Sequence, residues 1–440
     1  MNFNIDNYKD DLIKDLQDLL RIKSVLTEFN PNNKFPFGDG IQEALEFMLD
    51  LGDGSGFNVM NIDNYAGYIE FGSGDSELGV LCHLDVVPEG DGWSVDPYSA
   101  EIKDGKIYAR GTTDDKGPTI AAFYAMKMLK DAGFKPNKRI RMILGTDEET
   151  GWRGIDYYFK KEAMPEIGFA PDASFPLIYG EKGIHMFDCL GTEDSELISF
   201  DCGRRYNMVP DYAECELSID LSTEFNEYLN DNGYEGNVES NKYSIKGVSA
   251  HAMQPHLGVN AGYILCKFLK KHINSKFVDF IVNYTDTEGL GLGIKYVSEE
   301  MGPLTLNMGI ANLKNKEFKI GINTRVPIGW DMFKELEEKI SELELKYDNK
   351  DYSPVHYVDK NDDLVKVLHK AYIKYTNDTE TPLMTIGGGT YSRALKKAVA
   401  FGPMMPGRVD VAHQKDEYIH IEDLFTAVLI YAEAIMNLTS

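Results

Sequence analysis

Cysteine is scarce in this chain. Its 440 residues hold five, Cys82, Cys189, Cys202, Cys215 and Cys266, odd in number and without a CxxC pair. That excludes a disulfide framework and predicts reduced thiols in a cytoplasmic protein. Basic residues are also short: 45 Lys and Arg stand against 71 Asp and Glu, a formal net charge of -26. Such a chain repels phosphate backbones and anionic lipid, and no basic stripe offsets the charge, so neither nucleic acid nor membrane is expected as a partner. No apolar run reaches the length of a membrane span. The opening MNFNIDNYKDDLIKDLQDLL lacks a basic start and a continuous apolar core, so it does not read as a secretory signal. A repeat of fixed period and low-complexity tracts are missing too.

What is present is ordinary globular material, 43% hydrophobic and 26% charged, in a chain long enough for two domains. It is organised around residues 78–89, LGVLCHLDVVPE, where an apolar run reads as a buried strand and places His83 and Asp85 on alternate positions at its end. In open α/β sheets ligands gather outside the carboxyl ends of strands. Three acidic clusters follow, GTTDDKGP (residues 111–118), GTDEETGW (145–152) and APDASFP (170–176), and VAHQKDEYIH (411–420) supplies His413. Two histidines with several carboxylates at strand ends point to a pair of divalent metals.

Strand, acidic end and helix recur over residues 1–181 and again over 361–440, the pattern of a doubly wound α/β domain. Residues 182–360 have a different texture. Ala213, Cys215, Leu217 and Ile219 alternate as in a half-buried strand, two apolar strands at 304–311 and 318–326 flank a polar turn, and helices are expected at 258–272 and 331–346. This segment predicts an α+β domain inserted into the first. A helix is also expected directly after the glycines of GGGTYSR, residues 387–393.

The ordered set HLDVVP, GTTDDKGP, GTDEETGW, APDAS, GVSAHAMQP, GGGTYSR and AHQKDEYI resembles the M20 metallopeptidase family, through nearly the whole chain, and within it the PepV-like dipeptidase branch. The resemblance implies a zinc-peptidase-type catalytic domain carrying an inserted lid domain. It implies one ion on His83, Asp114 and Asp172 and a second on Asp114, Glu149 and His413, with Asp114 bridging ions about 3.5–4 Å apart. Imidazole and carboxylate donors suit Zn²⁺, with Mn²⁺ and Co²⁺ as alternatives. Asp85 is expected to accept a hydrogen bond from the His83 imidazole and so fix its tautomer. Glu148 is the implied general base acting on a water between the ions. A cis peptide is implied between Asp114 and Asp115.

From the lid the resemblance draws His251, as donor to the oxyanion of the tetrahedral intermediate, and Asn207 and Arg325, as residues touching substrate. Arg325 offers a planar fork for a free C-terminal carboxylate, and the loop of Gly388, Gly389 and Thr390 would receive the same group on backbone N–H donors. His256 matches no family role. Ser174 stands where the branch commonly has an acid, and Asp416 stands where an amide is common, adding negative charge near His413. The implied activity is hydrolysis of dipeptides with a free C-terminal carboxylate, with deacylation of N-acyl amino acids as the alternative and a non-catalytic peptide-binding protein as the more distant one. The enlarged lid implies a monomer.

Overall fold

In the computed structural model, which describes residues 3–440, the apolar run before His83 becomes the strand Glu77–His83, buried along its whole length. It pairs in parallel with Arg139–Gly145 on one side and Ile167–Ala170 on the other. The three strands therefore finish at His83, Gly145 and Ala170 along one edge, and the acidic clusters that follow them in sequence leave from that edge together. Ala398–Ala400 adds a fourth parallel strand beside Ile167–Ala170. Ala66–Phe71 and Asn58–Ile62 extend the other side as an antiparallel pair.

Amphipathic helices cover this sheet. Lys9–Leu20 buries Leu12, Leu16, Leu19 and Leu20, the helical spacing seen in the sequence. Lys116–Asp131 starts two residues after Asp114 and is buried through most of its length, packing against the closing helix Ile421–Leu438. Phe169, Phe175, Phe401 and Tyr431 interlock beneath the strand ends.

The chain divides into two compact units. The first takes Met1–Tyr179, Tyr357–Met384 and Gly389–Ser440; the second takes Gly180–His356 with Thr385–Gly388. The second unit is built on an eight-stranded antiparallel sheet whose central pair is Leu197–Cys202 with Thr305–Lys314. In Tyr212–Leu217 the residues Ala213, Cys215 and Leu217 face a core made with the helices Ser222–Asn232, Ala261–Leu269, Lys276–Tyr284 and Phe333–Glu342. The hairpin Thr305–Lys314 to Glu317–Val326 turns through Asn315 and Lys316, both at positive φ.

One expected element is absent. After the glycine loop the chain makes only the four-residue 3-10 turn Tyr391–Ala394, capped by the Thr390 hydroxyl, which accepts the Ser392 N–H. The strand Ala398–Ala400 begins four residues later and its pairing pulls the chain straight, leaving no length for a helix. The loop thus has no helix dipole behind it. All five cysteines are free and buried, and among the described residues no helix is long and apolar enough to cross a membrane.

Candidate active site

His83 is the last residue of its strand and fully buried. Its backbone N–H donates to Asp115 Oδ2 at 3.1 Å, and its ring Nδ1 lies 3.0 Å from the backbone carbonyl of Asp85. A carbonyl can only accept, so Nδ1 carries a proton, and Nε2 is the atom turned toward the acids. That Nε2 is buried and makes no hydrogen bond. It lies 3.0 Å from Asp114 Oδ1 and 3.7 Å from Asp172 Oδ2. His413 Nε2, on the far side, lies 2.8 Å from Asp114 Oδ2 and 3.1 Å from Glu149 Oε1. Asp114 therefore turns one carboxylate oxygen toward each histidine. Asp114 and Asp172 thus stand about His83, and Asp114 and Glu149 about His413; the group whose donor atoms all lie within 4.8 Å of one another among the described residues is His83, Asp114 and Glu149, which draws on both expected triads.

The electrostatics of this cluster call for a cation. Burial and the charge of Asp114 push Asp172 well above the ordinary carboxylate range. Burial and Asp114 likewise push Glu149 up to about 7, with His413 opposing. Glu148 is raised by burial and then by Glu149 and Asp114. Against their burial, both imidazoles are raised by the acids around them, His413 to about 11. Asp114 alone is held low, the two histidines outweighing its burial. Four crowded carboxyls and an orphaned buried imidazole nitrogen are a donor set that a divalent cation fits, since nitrogen and carboxylate oxygen are its ordinary ligands.

Local structure explains the placement. In GTDEETGW, Asp147 closes the turn: its carbonyl accepts the N–H groups of Gly151 and Trp152, and its carboxylate accepts Arg153 Nε at 2.6 Å and Nη2 at 2.7 Å. Glu148 and Glu149 project from that turn. Their backbone N–H groups donate to Asp85 Oδ1 and Oδ2, each at 3.1 Å. This corrects the role expected of Asp85. Its carboxylate stands 3.6 Å from His83 Nδ1, farther than its own backbone carbonyl, because the strand ends at His83 and the chain turns the carbonyl toward the ring. The peptide bond between Asp114 and Asp115 is cis, as expected.

Asp416 does not add its charge freely to the His413 loop, since its Oδ1 accepts the Ser94 N–H at 2.7 Å and the Ser94 hydroxyl at 2.9 Å. Ser174 lies in a short strand paired in parallel with Pro403–Met404.

Several residues beside the site carried no sequence signal. Lys116 is buried and donates to the carbonyls of Leu19 at 3.1 Å and Ile22 at 2.6 Å, tying the turn after Asp115 to the end of Lys9–Leu20. Tyr391 is buried against the His83 and Trp152 rings, and a side chain at Gly145 would strike its ring at 2.3 Å. Glu417 is buried beside Arg110. Only its place in AHQKDEYI could have marked it.

The expected lid residues lie in the second unit. Asn207 is exposed, its carbonyl accepts the Ala252 N–H at 2.9 Å, and its neighbour Met208 pairs with His251. His251 Nδ1 accepts the Met253 N–H at 3.2 Å, which leaves the ring proton on Nε2. Arg325 is buried, with Nε on Asn323 Oδ1 at 2.9 Å and Nη1 on the Gly387 carbonyl at 2.7 Å. Gly388 belongs to this unit, while Gly389 and Thr390 belong to the first.

A family model described as Peptidase family M20/M25/M40 matches residues 79–437. YtjP of Bacillus subtilis, which carries a provisional dipeptidase name, is 44% identical over 464 residues and 100% of both chains. A protein of Staphylococcus epidermidis with a provisional dipeptidase name is 44% identical over 98% of this chain and 97% of its own. In fold the chain is similar to aminopeptidase PepT from Bacillus cereus, with a TM-score of 0.62 at 16% identity over 100% of both chains. On the family match and these relatives, the chain belongs to peptidase family M20/M25/M40 and is a hydrolase of peptide bonds.

Proposed function

We propose that the chain is a metal-dependent dipeptidase acting on dipeptides with a free C-terminal carboxylate. The observation that carries this reading is Asp114, which faces His83 with one oxygen and His413 with the other at 3.0 Å and 2.8 Å. One divalent cation would be held by His83, Asp114 and Asp172 and a second by Asp114, Glu149 and His413; together they would polarise the scissile carbonyl and acidify water, Zn²⁺ being the proposed ion with Mn²⁺ and Co²⁺ as alternatives. Glu148, raised by burial and by Glu149 and Asp114, is suited to take the proton of the attacking water and return it to the leaving amine. Asp85 holds Glu148 and Glu149 from behind through their backbone N–H groups.

In the lid, His251 would donate to the developing oxyanion; its Nδ1 accepts the Met253 N–H, which directs the ring proton to Nε2. Arg325 is oriented by Asn323 and Gly387, and with Asn207, Gly388, Gly389 and Thr390 it would receive the substrate carboxylate. The dipeptidase names of the relatives support this substrate class. A cytoplasmic monomer fits free buried cysteines and a lid sheet of eight strands within one chain; light scattering giving a stable dimer mass would remove the monomer.

The test is hydrolysis of a dipeptide panel against matched N-acetyl amino acids, with the purified protein supplied in turn with Zn²⁺, Mn²⁺ and Co²⁺. Dipeptide turnover with little deacetylation is expected. The reverse preference would make the enzyme a deacylase, and binding of dipeptide without turnover of either class would make it a binding protein.

A further inference from the structure

His413 reaches Asp114 and Glu149 from an unusual loop. Its imidazole side chain is 52% exposed, and both His413 and Asp416 sit at positive φ, 61° and 56°. Left-handed backbone at residues with a Cβ persists only where the surroundings over-determine it. Beside the bonds of Asp416 to Ser94, the loop is held by Glu417, whose side chain is fully buried. Glu417 Oε2 accepts from Arg110 Nη1 at 2.5 Å. Its Oε1 accepts the Thr113 N–H at 2.9 Å and the Thr113 hydroxyl at 3.0 Å, and lies 3.3 Å from the Thr112 hydroxyl, whose shorter bond goes to the Ala109 carbonyl at 2.9 Å. Its backbone carbonyl accepts the Ala109 N–H at 3.1 Å. Glu417 thus joins the loop of His413 to the residues immediately before Asp114, while touching neither His413 nor Asp114 itself. Arg110 is fixed in turn: Nη2 lies 3.3 Å from the Glu89 carbonyl, and its guanidinium stacks over Trp93 at 5.3 Å.

We propose that Glu417 is a positioning residue for one half of the metal site, holding His413 in register with Asp114 and so setting the affinity of the His413, Asp114 and Glu149 triad for its cation. The proposal rests on the two-ion reading above. In the other triad His83 is positioned by different contacts, from Asp115, the Asp85 carbonyl and the strand pairing, and Asp114 is common to both. Loss of Glu417 should therefore weaken the ion of the His413 triad more than the other.

The experiment is equilibrium dialysis of the stripped, full-length protein against buffered Zn²⁺, with bound metal counted by elemental analysis. Wild type is expected to take two ions per chain. His413→Ala identifies the step that belongs to its triad. In Glu417→Gln that same step should move to about 10- to 100-fold higher free Zn²⁺, the range for loss of a residue that orients a ligand, while the other step moves less. Turnover should recover when Zn²⁺ is raised. Unchanged midpoints, or an equal shift of both, would overturn the proposal. If Glu417→Gln gives no cooperative melt, Thr113→Val decides: it deletes one hydroxyl contact to Oε1, and a smaller selective shift is expected, its absence being contrary. A wild type that takes a single ion would overturn the two-ion reading itself, a result seen without any variant.

Discussion

Asp85 accepts the backbone N–H of Glu148 on one carboxylate oxygen, at 3.1 Å, and that of Glu149 on the other, at the same distance. The acid that follows the first histidine is thus the clamp of the Glu148–Glu149 turn. The tautomer of His83 is set instead by the Asp85 main chain, 3.0 Å from Nδ1, and substitution of the side chain leaves that carbonyl in place.

Asp85→Asn separates these two jobs. An amide has one accepting end, so one of the two N–H groups loses its partner and the base shifts. The expected outcome is a fall in kcat of about 10- to 100-fold, with Zn²⁺ affinity at the His83 triad retained. Kinetics and dialysis on the same preparation would check it, and loss of the His83 step would show that the carboxylate orients the ring after all.

Glu148 and Glu149 are adjacent yet differently placed. Only Glu149 lies against His413, at 3.1 Å. Glu148→Ala should keep both ions and lose about 10²- to 10⁴-fold in rate, whereas Glu149→Ala should lose an ion. Metal content measured beside turnover distinguishes them; equal loss of metal in both variants would make Glu148 a ligand.

His251 belongs to the second unit and holds the Met253 N–H on Nδ1 at 3.2 Å. His251→Ala should lower kcat about 10²- to 10³-fold, the size of one lost oxyanion donor, without changing metal content. A variant that raised KM alone would place His251 in ground-state binding rather than at the reacting oxygen.

Much of this arrangement was legible because its signals are local. A buried strand shows as an apolar run and an acidic cluster beside it shows by position, so the clusters could be set side by side from the sequence, while the choice of His83, Asp114, Glu149 and Asp172 within them rested on the resemblance to the M20 family. The partner of Asp85 could not be placed so, because alternation predicts the face of a side chain only while the strand continues, and this one stops at His83. Glu417 and Arg110 are 307 residues apart in sequence and meet only through folding. The helix expected after Gly389 failed for a similar reason: pairing of Ala398–Ala400 with Gly168–Ala170, a distant constraint, overrode local preference.

The second unit carries an acid-sensitive group of its own. His185 is 1% exposed, and its ring is surrounded by Phe187, Trp330, Phe333, Tyr347 and Tyr352. Its Nε2 lies 2.9 Å from the Tyr347 hydroxyl, and Nδ1 is buried without a hydrogen bond. Burial, helped by the charge of Lys350, lowers its pKa from 6.5 to about 4. Between those values the unfolded chain binds a proton that the folded chain refuses, so stability rises with pH across this window and is lost as pH falls from 6.5 toward 4. The loss amounts to at most about 3 kcal/mol. His185→Phe keeps an aromatic ring, somewhat larger than imidazole, should cost about 1 to 3 kcal/mol at pH 7 through the Tyr347 hydroxyl and the added volume, and should flatten the dependence between pH 6.5 and 4. Urea melts followed by tryptophan fluorescence, to which Trp330, 6.4 Å from the His185 ring, contributes beside Trp93 and Trp152, would check this, and a variant whose acid limb ran parallel to wild type would assign the sensitivity to other groups.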